Sequence, residues 1–270
     1  MSGTLLTYNV SGARSGDPVL LMNGGLMTIA SWGPIAEDLG RAFPVITFDF
    51  RGMLLSPGTP PRALDGHIDD VVRLLDHLQV AGVHAVGTSF GAEVAILLAA
   101  ARPDRVRSLA LVTATERTTD EMWTAGERLR EACRQAAAGG DGGVVLDLLL
   151  PAAFSPQYLQ DQAQIMIKRR QQYAAMPRAW FEGLDLLLGS LKDLDMRPAL
   201  ARIGCPTLVV SAELDQTFPP AHSRALASAV RGARLETVPG SGHGLVAEQP
   251  GRLLEILWSF LPVRLNGVAS

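Results

Sequence analysis

The chain has 270 residues, of which 47% are hydrophobic and 19% are charged, and its formal net charge is −3. A chain of this length buries a large core without needing a disulfide or a metal. Its high apolar content and low charged content exclude a disordered protein. No apolar stretch reaches the about 20 residues of a membrane span, and the mixed charges provide no basic surface for nucleic acid. We therefore expect a soluble, cytoplasmic protein with no nucleic-acid partner and no membrane partner.

Seven short segments are predicted to be strands. The first ten residues alternate loosely, and the turn-rich stretch 11–18 that follows them is typical of a hairpin. Six apolar runs come next, each bounded by Gly, Pro or Asp, as expected for strands that are buried on both faces. These runs are Val19–Met22, Val45–Phe48, Val83–Val86, Ser108–Val112, Thr207–Val210 and Leu235–Val238.

Helical patterns separate these runs. Residues 67–79 carry an amphipathic stripe, and residues 92–102 are almost entirely apolar up to Pro103, which ends that helix. Two later helices are predicted over 219–230 and 251–260. Strands that alternate with helices of this size indicate βαβ units, so the predicted fold class is α/β with a mainly parallel sheet.

The alternation stops between residues 115 and 191, a stretch called the helical segment below. Its composition predicts four helices and no strand. We therefore predict a core made of residues 1–114 and 192–270, with residues 115–191 inserted as a helical cap. The glutamine-rich part of the segment, residues 157–172, is interpreted as a solvated face. The four helices are predicted at Thr118–Ala138, Val144–Leu150, Gln157–Tyr173 and Arg178–Leu191.

A G-x-S-x-G pentapeptide spans Gly87 to Gly91 and places Ser89 between a predicted strand and a predicted helix. This is the setting of a nucleophile elbow, in which a tight turn exposes a strained serine and leaves room only for glycine beside it. The alternative is a glycine-rich turn whose serine caps the helix.

A serine nucleophile requires a base, and His243 is the strongest candidate because it lies in a glycine-rich loop after the last predicted strand. The acid that orients it is predicted to be Asp215, which follows the strand 207–210. Glu213 and Glu116 are its rivals. The other histidines are less suited: His67 and His77 lie on the amphipathic helix, His84 begins a strand, and His222 is expected to be solvated.

The order Ser89, Asp215, His243 is the order of nucleophile, acid and base in the α/β-hydrolase superfamily, which the chain resembles along nearly its whole length. Asn23 stands where that family usually has histidine, and Leu54 stands where it usually has glycine. The Asn-Gly pair followed by Met27 also resembles, over a short segment, the 3-hydroxyacyl-carrier acyltransferases. Four motifs carry the superfamily resemblance: Asn23-Gly-Gly25, Asp49-Phe-Arg-Gly52 with Ser56, the run Cys205–Asp215 with Pro219, and Gly242-His243 with Glu248-Gln-Pro250.

The resemblance implies an eight-stranded α/β-hydrolase fold and an oxyanion hole formed by the N–H groups of Gly25 and Phe90. The reaction expected from it is hydrolysis of a carboxylic ester, thioester or lactone through an acyl-enzyme. An acyltransferase, a carbon–carbon bond hydrolase and a non-catalytic binding protein remain alternatives on the same fold.

The substrate is expected to be a small molecule with an apolar acyl or alcohol group. No cofactor is expected, because the chain has neither a dinucleotide fingerprint nor a phosphate loop. No metal site is expected either, since Cys133 and Cys205 lack a ligand spacing. The predicted pocket residues are Leu26, Leu54, Trp123, Phe154 and Trp180. Four further candidates in the helical segment are Met122, Tyr158, Met166 and Phe181.

Overall fold

The computed structural model describes residues 5–262 and contains one seven-stranded sheet with the order β1-β3-β2-β4-β5-β6-β7. Neighbouring strands are parallel throughout, except that β1 is antiparallel to β3. The predicted α/β class with a mainly parallel sheet is therefore confirmed. The strands are β1 (Tyr8–Gly12), β2 (Val19–Met22), β3 (Pro44–Phe48), β4 (Val83–Thr88), β5 (Val106–Val112), β6 (Thr207–Ala212) and β7 (Arg234–Val238).

Two predictions about the first strands are wrong. The described residues form seven strands and not the eight that the resemblance implies, and the stretch between β1 and β2 consists of bends. The predicted hairpin is also absent, since β1 pairs with β3, Tyr8 lying opposite Phe48. The start of the predicted first strand, at Thr4, lies outside the described residues.

Helices cover both faces of the sheet. The described residues form twelve α-helices, preceded on the chain by a short 3-10 helix at Ile29–Trp32. They are α1 (Gly33–Leu39), α2 (Leu64–His77), α3 (Phe90–Ala101), α4 (Asp120–Ala137), α5 (Gly143–Ala153), α6 (Pro156–Asp161), α7 (Ala163–Ala174), α8 (Arg178–Gly189), α9 (Arg197–Leu200), α10 (Pro220–Ala229), α11 (Leu245–Glu248) and α12 (Pro250–Phe260).

The core has two layers, because successive side chains of a strand point to opposite faces of the sheet. In β2, Val19 and Leu21 pack with α1 and α12, whereas Leu20 and Met22 pack with α2 and α3. All four side chains are fully buried. A strand covered on both faces has few positions for polar side chains, which explains why β2 to β6 appear in the sequence as mainly apolar runs.

The helical segment joins β5 to β6 and contains five helices, α4 to α8, one more than predicted. The predicted helix 157–173 is divided near Gln162 into α6 and α7. Helix α4 packs against α8, and α5 packs against α7. None of the helices within residues 5–262 is long and apolar enough to span a membrane.

The parallel strands β4, β5, β6 and β7 all end at one edge of the sheet. Ser89 follows β4 directly, Asp215 follows β6, and His243 follows β7. The helical segment leaves the sheet at the same edge, after β5. Three residues separated by long stretches of sequence are thereby placed next to one another, with the helical segment beside them.

Candidate active site

Ser89 occupies a sharp turn between β4 and α3. Its backbone has φ +50° and ψ −127°, a left-handed conformation that a residue with a Cβ adopts only under constraint from its surroundings. The turn is so tight that the positions two residues before and two residues after Ser89 have room only for glycine. A Cβ at Gly87 would overlap the backbone of Gly91, and a Cβ at Gly91 would overlap the carbonyl of Met22. The turn holds the Ser89 side chain partly exposed at the edge of the sheet.

His243 connects Ser89 to Asp215 through two hydrogen bonds. Its Nε2 lies 2.8 Å from the Ser89 Oγ, and its Nδ1 lies 2.8 Å from the Asp215 Oδ2. A carboxylate can only accept a hydrogen bond, so Nδ1 carries the proton in this pairing and Nε2 is left to accept from the hydroxyl of Ser89. The geometry therefore brings the three predicted residues into one hydrogen-bonded chain.

The carboxylate of Asp215 is held in place by hydrogen bonds other than the one to His243. Its other oxygen, Oδ1, accepts hydrogen bonds from the backbone N–H groups of Thr217 at 2.9 Å and Phe218 at 2.8 Å. The Asp215 side chain is only 1% exposed, and that of His243 is 11% exposed. The ring of Phe218 packs edge-on against the imidazole, with a centroid distance of 5.1 Å. The imidazole is thus held in one orientation.

The rival acids and bases form other pairs. Glu213 accepts a hydrogen bond from the Gly240 N–H at 2.8 Å, and Glu116 lies 2.9 Å from Nδ1 of His222. The expectation that His222 is solvated is therefore wrong: this histidine is partly buried and paired. It pairs because the Glu116 loop, which follows β5, lies against the start of α10.

The remaining histidines lie away from Ser89 Oγ. His84 binds Ser108, with 2.9 Å between its Nδ1 and Oγ, and His77 lies 3.2 Å from the hydroxyl of Tyr8. His67 is fully buried between the rings of Phe50 and Phe90.

The loop after β2 runs alongside Ser89. A Cβ at Gly24 would lie 3.6 Å from the Ser89 Cβ, so the two backbones are close neighbours. Within residues 5–262, the N–H groups of Gly25 and Phe90 donate no hydrogen bond to another protein atom. Both are consequently available to a ligand, and the Phe90 N–H also lies at the N-terminus of α3, where the helix dipole favours negative charge.

Asn23 anchors this loop in the place of the usual histidine. Its Nδ2 donates to the carbonyl of Phe48 at 2.9 Å and to the Asp49 Oδ1 at 3.1 Å, and its Oδ1 accepts from the Trp32 Nε1 at 2.8 Å. Burial raises the pKa of Asp49, while its hydrogen bonds with Ile29, Leu55 and Asn23 oppose that rise. The substitution of Asn for His therefore preserves a fully bonded anchor.

The predicted pocket residues divide into two groups. Phe154 packs on Gly244, the residue after His243, and its ring stacks on Tyr158. Trp180 is buried against Tyr173, whose hydroxyl lies 3.5 Å from the carbonyl oxygen of Leu26. These contacts connect Leu26, Phe154 and Trp180 to the loops around Ser89.

The other two predicted pocket residues, Leu54 and Trp123, have surroundings of a different kind. Leu54 is exposed in a turn and has φ +42°, the conformation that explains why glycine is usual at this position. Trp123 lies beside the guanidinium of Arg130 and the ammonium of Lys192, 5.4 Å and 5.8 Å from its ring centroid.

A family model described as the alpha/beta hydrolase fold matches residues 17–250. The chain belongs to the α/β hydrolase fold family. This membership confirms the resemblance and the fold that the motifs predicted. It also identifies the chain as a member of a family of hydrolases. No group of three or more potential metal ligands occurs in the part of this hydrolase that the structure describes.

Three similar proteins illustrate the range of the family. "Putative carbamate hydrolase RutD" of Azorhizobium caulinodans is 28% identical in an alignment 265 residues long that covers 94% of each chain. The enol-lactonase of Burkholderia xenovorans LB400 is 25% identical, with a TM-score of 0.83 over 94% of this chain and 95% of the other. An α/β hydrolase enzyme from a Medee basin deep-sea metagenome library has a TM-score of 0.89 over 98% of this chain and 97% of the other, and at 22% identity it shows the fold alone.

Sequence reasoning missed how closely the helical segment of this α/β hydrolase approaches the site. A Cβ at Gly25 would lie 3.3 Å from Leu187 of α8, and Tyr173 of α7 reaches the next residue, Leu26. The interpretation of residues 157–172 as a solvated face is wrong in part, because Met166 in α7 is buried. The spacing of Met166 and Tyr173, two helical turns apart, was the signal for an inward face.

The helical segment is also bonded to the two loops that carry Asp215 and His243. The Gly244 N–H donates to the carbonyl of Ala153 at 2.6 Å, and the Thr217 hydroxyl donates to the carbonyl of Ala152 at 3.2 Å. Both carbonyls belong to the last turn of α5. Any displacement of this helix end would therefore act directly on the loops that hold Asp215 and His243.

Proposed function

We propose that this α/β hydrolase is a serine hydrolase that cleaves a carboxylic ester, thioester or lactone through an acyl-enzyme on Ser89. The observation that carries the proposal is the continuous hydrogen-bonded chain from Ser89 through His243 to Asp215. An isolated serine hydroxyl is a poor nucleophile near neutral pH, and a base within 2.8 Å of it, oriented by a carboxylate, overcomes that limit.

In the first half of the reaction, Ser89 Oγ attacks the ester carbonyl and its proton passes to His243 Nε2. The carbonyl oxygen becomes an oxyanion, which the N–H groups of Gly25 and Phe90 stabilise. Removing one such donor typically costs about 3–4 kcal/mol of transition-state stabilisation. The imidazolium then donates its proton to the leaving alcohol, which departs and leaves the acyl group on Ser89.

In the second half, His243 takes a proton from water, which attacks the acyl carbonyl and releases the acid. The proton returns to Ser89 Oγ and restores the resting state. Asp215 remains a carboxylate throughout and keeps the proton of the neutral imidazole on Nδ1. Its two backbone hydrogen bonds hold the carboxylate in place for this role.

We further propose that residues 115–191 act as a cap over the core formed by residues 1–114 and 192–270. The positions of Leu26, Phe154 and Trp180 support an apolar binding site beneath it, as do Leu187 and Tyr173. The substrate of this site is a small molecule with an apolar acyl or alcohol group. Trp123 and Leu54 are assigned to the outer rim, in agreement with their partial or full exposure.

The test is a series of p-nitrophenyl esters of increasing acyl length, assayed with the wild-type protein and with Ser89→Ala. A lactone and a phenyl carbamate belong in the series, because the relatives described above are named as an enol-lactonase and a carbamate hydrolase. We expect turnover of at least one ester and a loss of at least about a thousandfold in Ser89→Ala. Absence of turnover across the series, or equal activity in both proteins, would contradict the proposal.

Matched controls separate chemistry from folding. Ser259→Ala and His77→Ala change exposed residues of the same types and should retain wild-type activity, whereas His243→Ala should be as damaged as Ser89→Ala. Product analysis with and without an added alcohol distinguishes a hydrolase from an acyltransferase. Free acid as the main product in both cases supports hydrolysis. A new ester as the main product would instead show that the protein is an acyltransferase.

A further inference from the structure

Arg169 differs from the other cationic side chains of this hydrolase. Among residues 5–262, each of the other lysines and arginines either forms an ion pair with a carboxylate or is exposed to solvent. Arg169 is partly buried and has no acidic partner within those residues. A guanidinium that is partly removed from water and not paired is unfavourable unless a ligand compensates for it.

Arg169 lies on the inner face of α7. Residues three and four apart share one face of a helix, so Arg169 is aligned with Met166 and with Tyr173. Met166 is 6% exposed, and the hydroxyl of Tyr173 lies 3.5 Å from the carbonyl oxygen of Leu26. Since Leu26 follows Gly25, this face of α7 is directed at the loop that borders Ser89.

Tyr158 lies on α6, the short helix that packs against α7. The positive charge of Arg169 acts on the phenols of both Tyr158 and Tyr173, and it opposes the rise in pKa that burial causes in each. The pKa of Tyr173 still reaches about 12. The Tyr158 ring stacks on Phe154 at a centroid distance of 5.1 Å, and Phe154 packs on Gly244, next to His243. The two phenols on which the charge of Arg169 acts thus border opposite sides of the site, Tyr173 the side of Gly25 and Tyr158 the side of His243.

The nearby carboxylates have other partners. The negative charge of Glu248 also acts on Tyr158, but both oxygens of Glu248 accept hydrogen bonds from Ser155 and Gly242. Asp141 and Asp147 are paired with Arg170, the next residue of α7. Protein groups thus satisfy the acids around Arg169 and leave its guanidinium available.

We propose that Arg169, between Tyr158 and Tyr173, binds a carboxylate of the substrate at the end remote from the bond that is cleaved. The proposal rests on the proposed function and narrows it to esters or lactones that combine an apolar body with a free carboxylate. The planar guanidinium can donate two parallel hydrogen bonds to such a group, and the phenol of Tyr158 can donate one more. A neutral analogue would leave the guanidinium unpaired, and for that reason the site would select against it.

The test compares pairs of esters that differ only in the distal group: p-nitrophenyl hydrogen glutarate with p-nitrophenyl pentanoate, and the adipate and pimelate monoesters with their neutral counterparts. In Arg169→Met we expect kcat/KM for at least one anionic ester to fall about tenfold or more, as loss of a charge-assisted hydrogen bond predicts. The neutral ester of that pair should change by less than about twofold. Lys168→Met, an exposed neighbour in the same helix, should change neither. Equal losses for both esters of each pair, or an unchanged preference, would overturn the subsite.

A binding measurement keeps this result separate from the proposed chemistry. Calorimetric titration of Ser89→Ala with monomethyl glutarate, adipate and pimelate requires no turnover, and adding Arg169→Met should weaken binding of at least one of them about tenfold. If that dependence is seen while the wild type cleaves no ester, the proposed function fails and the subsite stands. If esters are cleaved but neither binding nor kcat/KM depends on Arg169, the subsite fails and the function stands.

Discussion

The hydroxyl of Ser155 donates a 2.6 Å hydrogen bond to the carboxylate of Glu248, 93 residues further along the chain. The other oxygen of that carboxylate accepts from the backbone N–H groups of Ser155 at 3.0 Å and Gly242 at 2.9 Å. Ser155 caps α6 in the helical segment, and Gly242 precedes His243. One carboxylate thus connects the helical segment to the loop that carries His243.

This relationship predicts that Glu248→Ala impairs both stability and catalysis. The substitution leaves the N–H groups of Gly242 and Ser155 without an acceptor in a partly buried place, and each unsatisfied group costs about 1–3 kcal/mol. We expect the free energy of unfolding to fall by about 2 kcal/mol or more. We also expect kcat toward esters to fall about tenfold, because the imidazole loses part of its support.

Glu248→Gln is the matched control, since its amide oxygen can still accept the two backbone hydrogen bonds. It should retain most of the activity. Urea unfolding gives the stability of each variant, and kcat is measured under conditions in which each is fully folded. A Glu248→Ala protein that is less stable but has wild-type kcat would limit Glu248 to a structural role.

Because of the buried Glu93, we expect the folded state to lose stability as the pH rises. This glutamate is fully buried in α3, where its Oε1 accepts from the Thr115 N–H at 3.1 Å, and burial raises its pKa to about 8. Between the unfolded value near 4.5 and about 8, the folded state keeps a proton that the unfolded state has released. The folded form therefore loses about 1.4 kcal/mol of stability per pH unit in that window from this group alone.

Glu93→Gln removes the titration while keeping the shape of the side chain. The difference in the free energy of unfolding between variant and wild type should grow in favour of the variant as the pH rises from 5 to 8, and then level off. Urea titrations at each pH provide the measurement. Parallel curves for the two proteins would show that the Glu93 carboxyl does not hold its proton in the folded state.

Because of the buried His67, we expect the free energy of unfolding to change in the opposite direction with pH at acid pH. Burial among aromatic rings lowers its pKa to about 4, with a further contribution from the charge of Arg51. Between about pH 6.5 and pH 4, the unfolded state binds a proton that the folded state does not bind, so stability is lost as the pH falls. His67→Phe should abolish this dependence, which is measured by urea unfolding from pH 4 to 7. An unaltered dependence would place the proton on another group.

The two slopes oppose one another between pH 4.5 and 6.5, so the wild-type protein should show little net change there from these two residues. Each single variant exposes the slope of the other residue.

Most of the sheet was predictable because its central strands, β2 to β6, are almost entirely buried. The six runs from Val19–Met22 to Leu235–Val238 therefore stand out as apolar segments between turn residues, and each coincides with a strand. The elbow at Ser89 was predictable for a related reason: only glycine fits at positions 87 and 91. These features are local, and sequence shows them directly.

The contacts between distant segments were not predictable in the same way. The pairing of β1 with β3 depends on which edge of the sheet is open, and turn residues alone suggested a hairpin. Likewise, nothing local to His222 indicates Glu116, and nothing local to Arg169 indicates that its neighbours already satisfy the nearby acids. Such relationships become visible only once the helical segment is placed beside the ends of the strands.

The most direct test of the account is covalent labelling with 4-nitrophenyl diethyl phosphate, followed by intact-mass analysis and peptide mapping. The account predicts a single adduct on Ser89, no adduct in Ser89→Ala, and labelling of Ser89 at least about a hundredfold slower in His243→Ala, because the hydroxyl then lacks its base. Labelling of a different residue at the same rate, or labelling of Ser89 that is indifferent to His243, would contradict it.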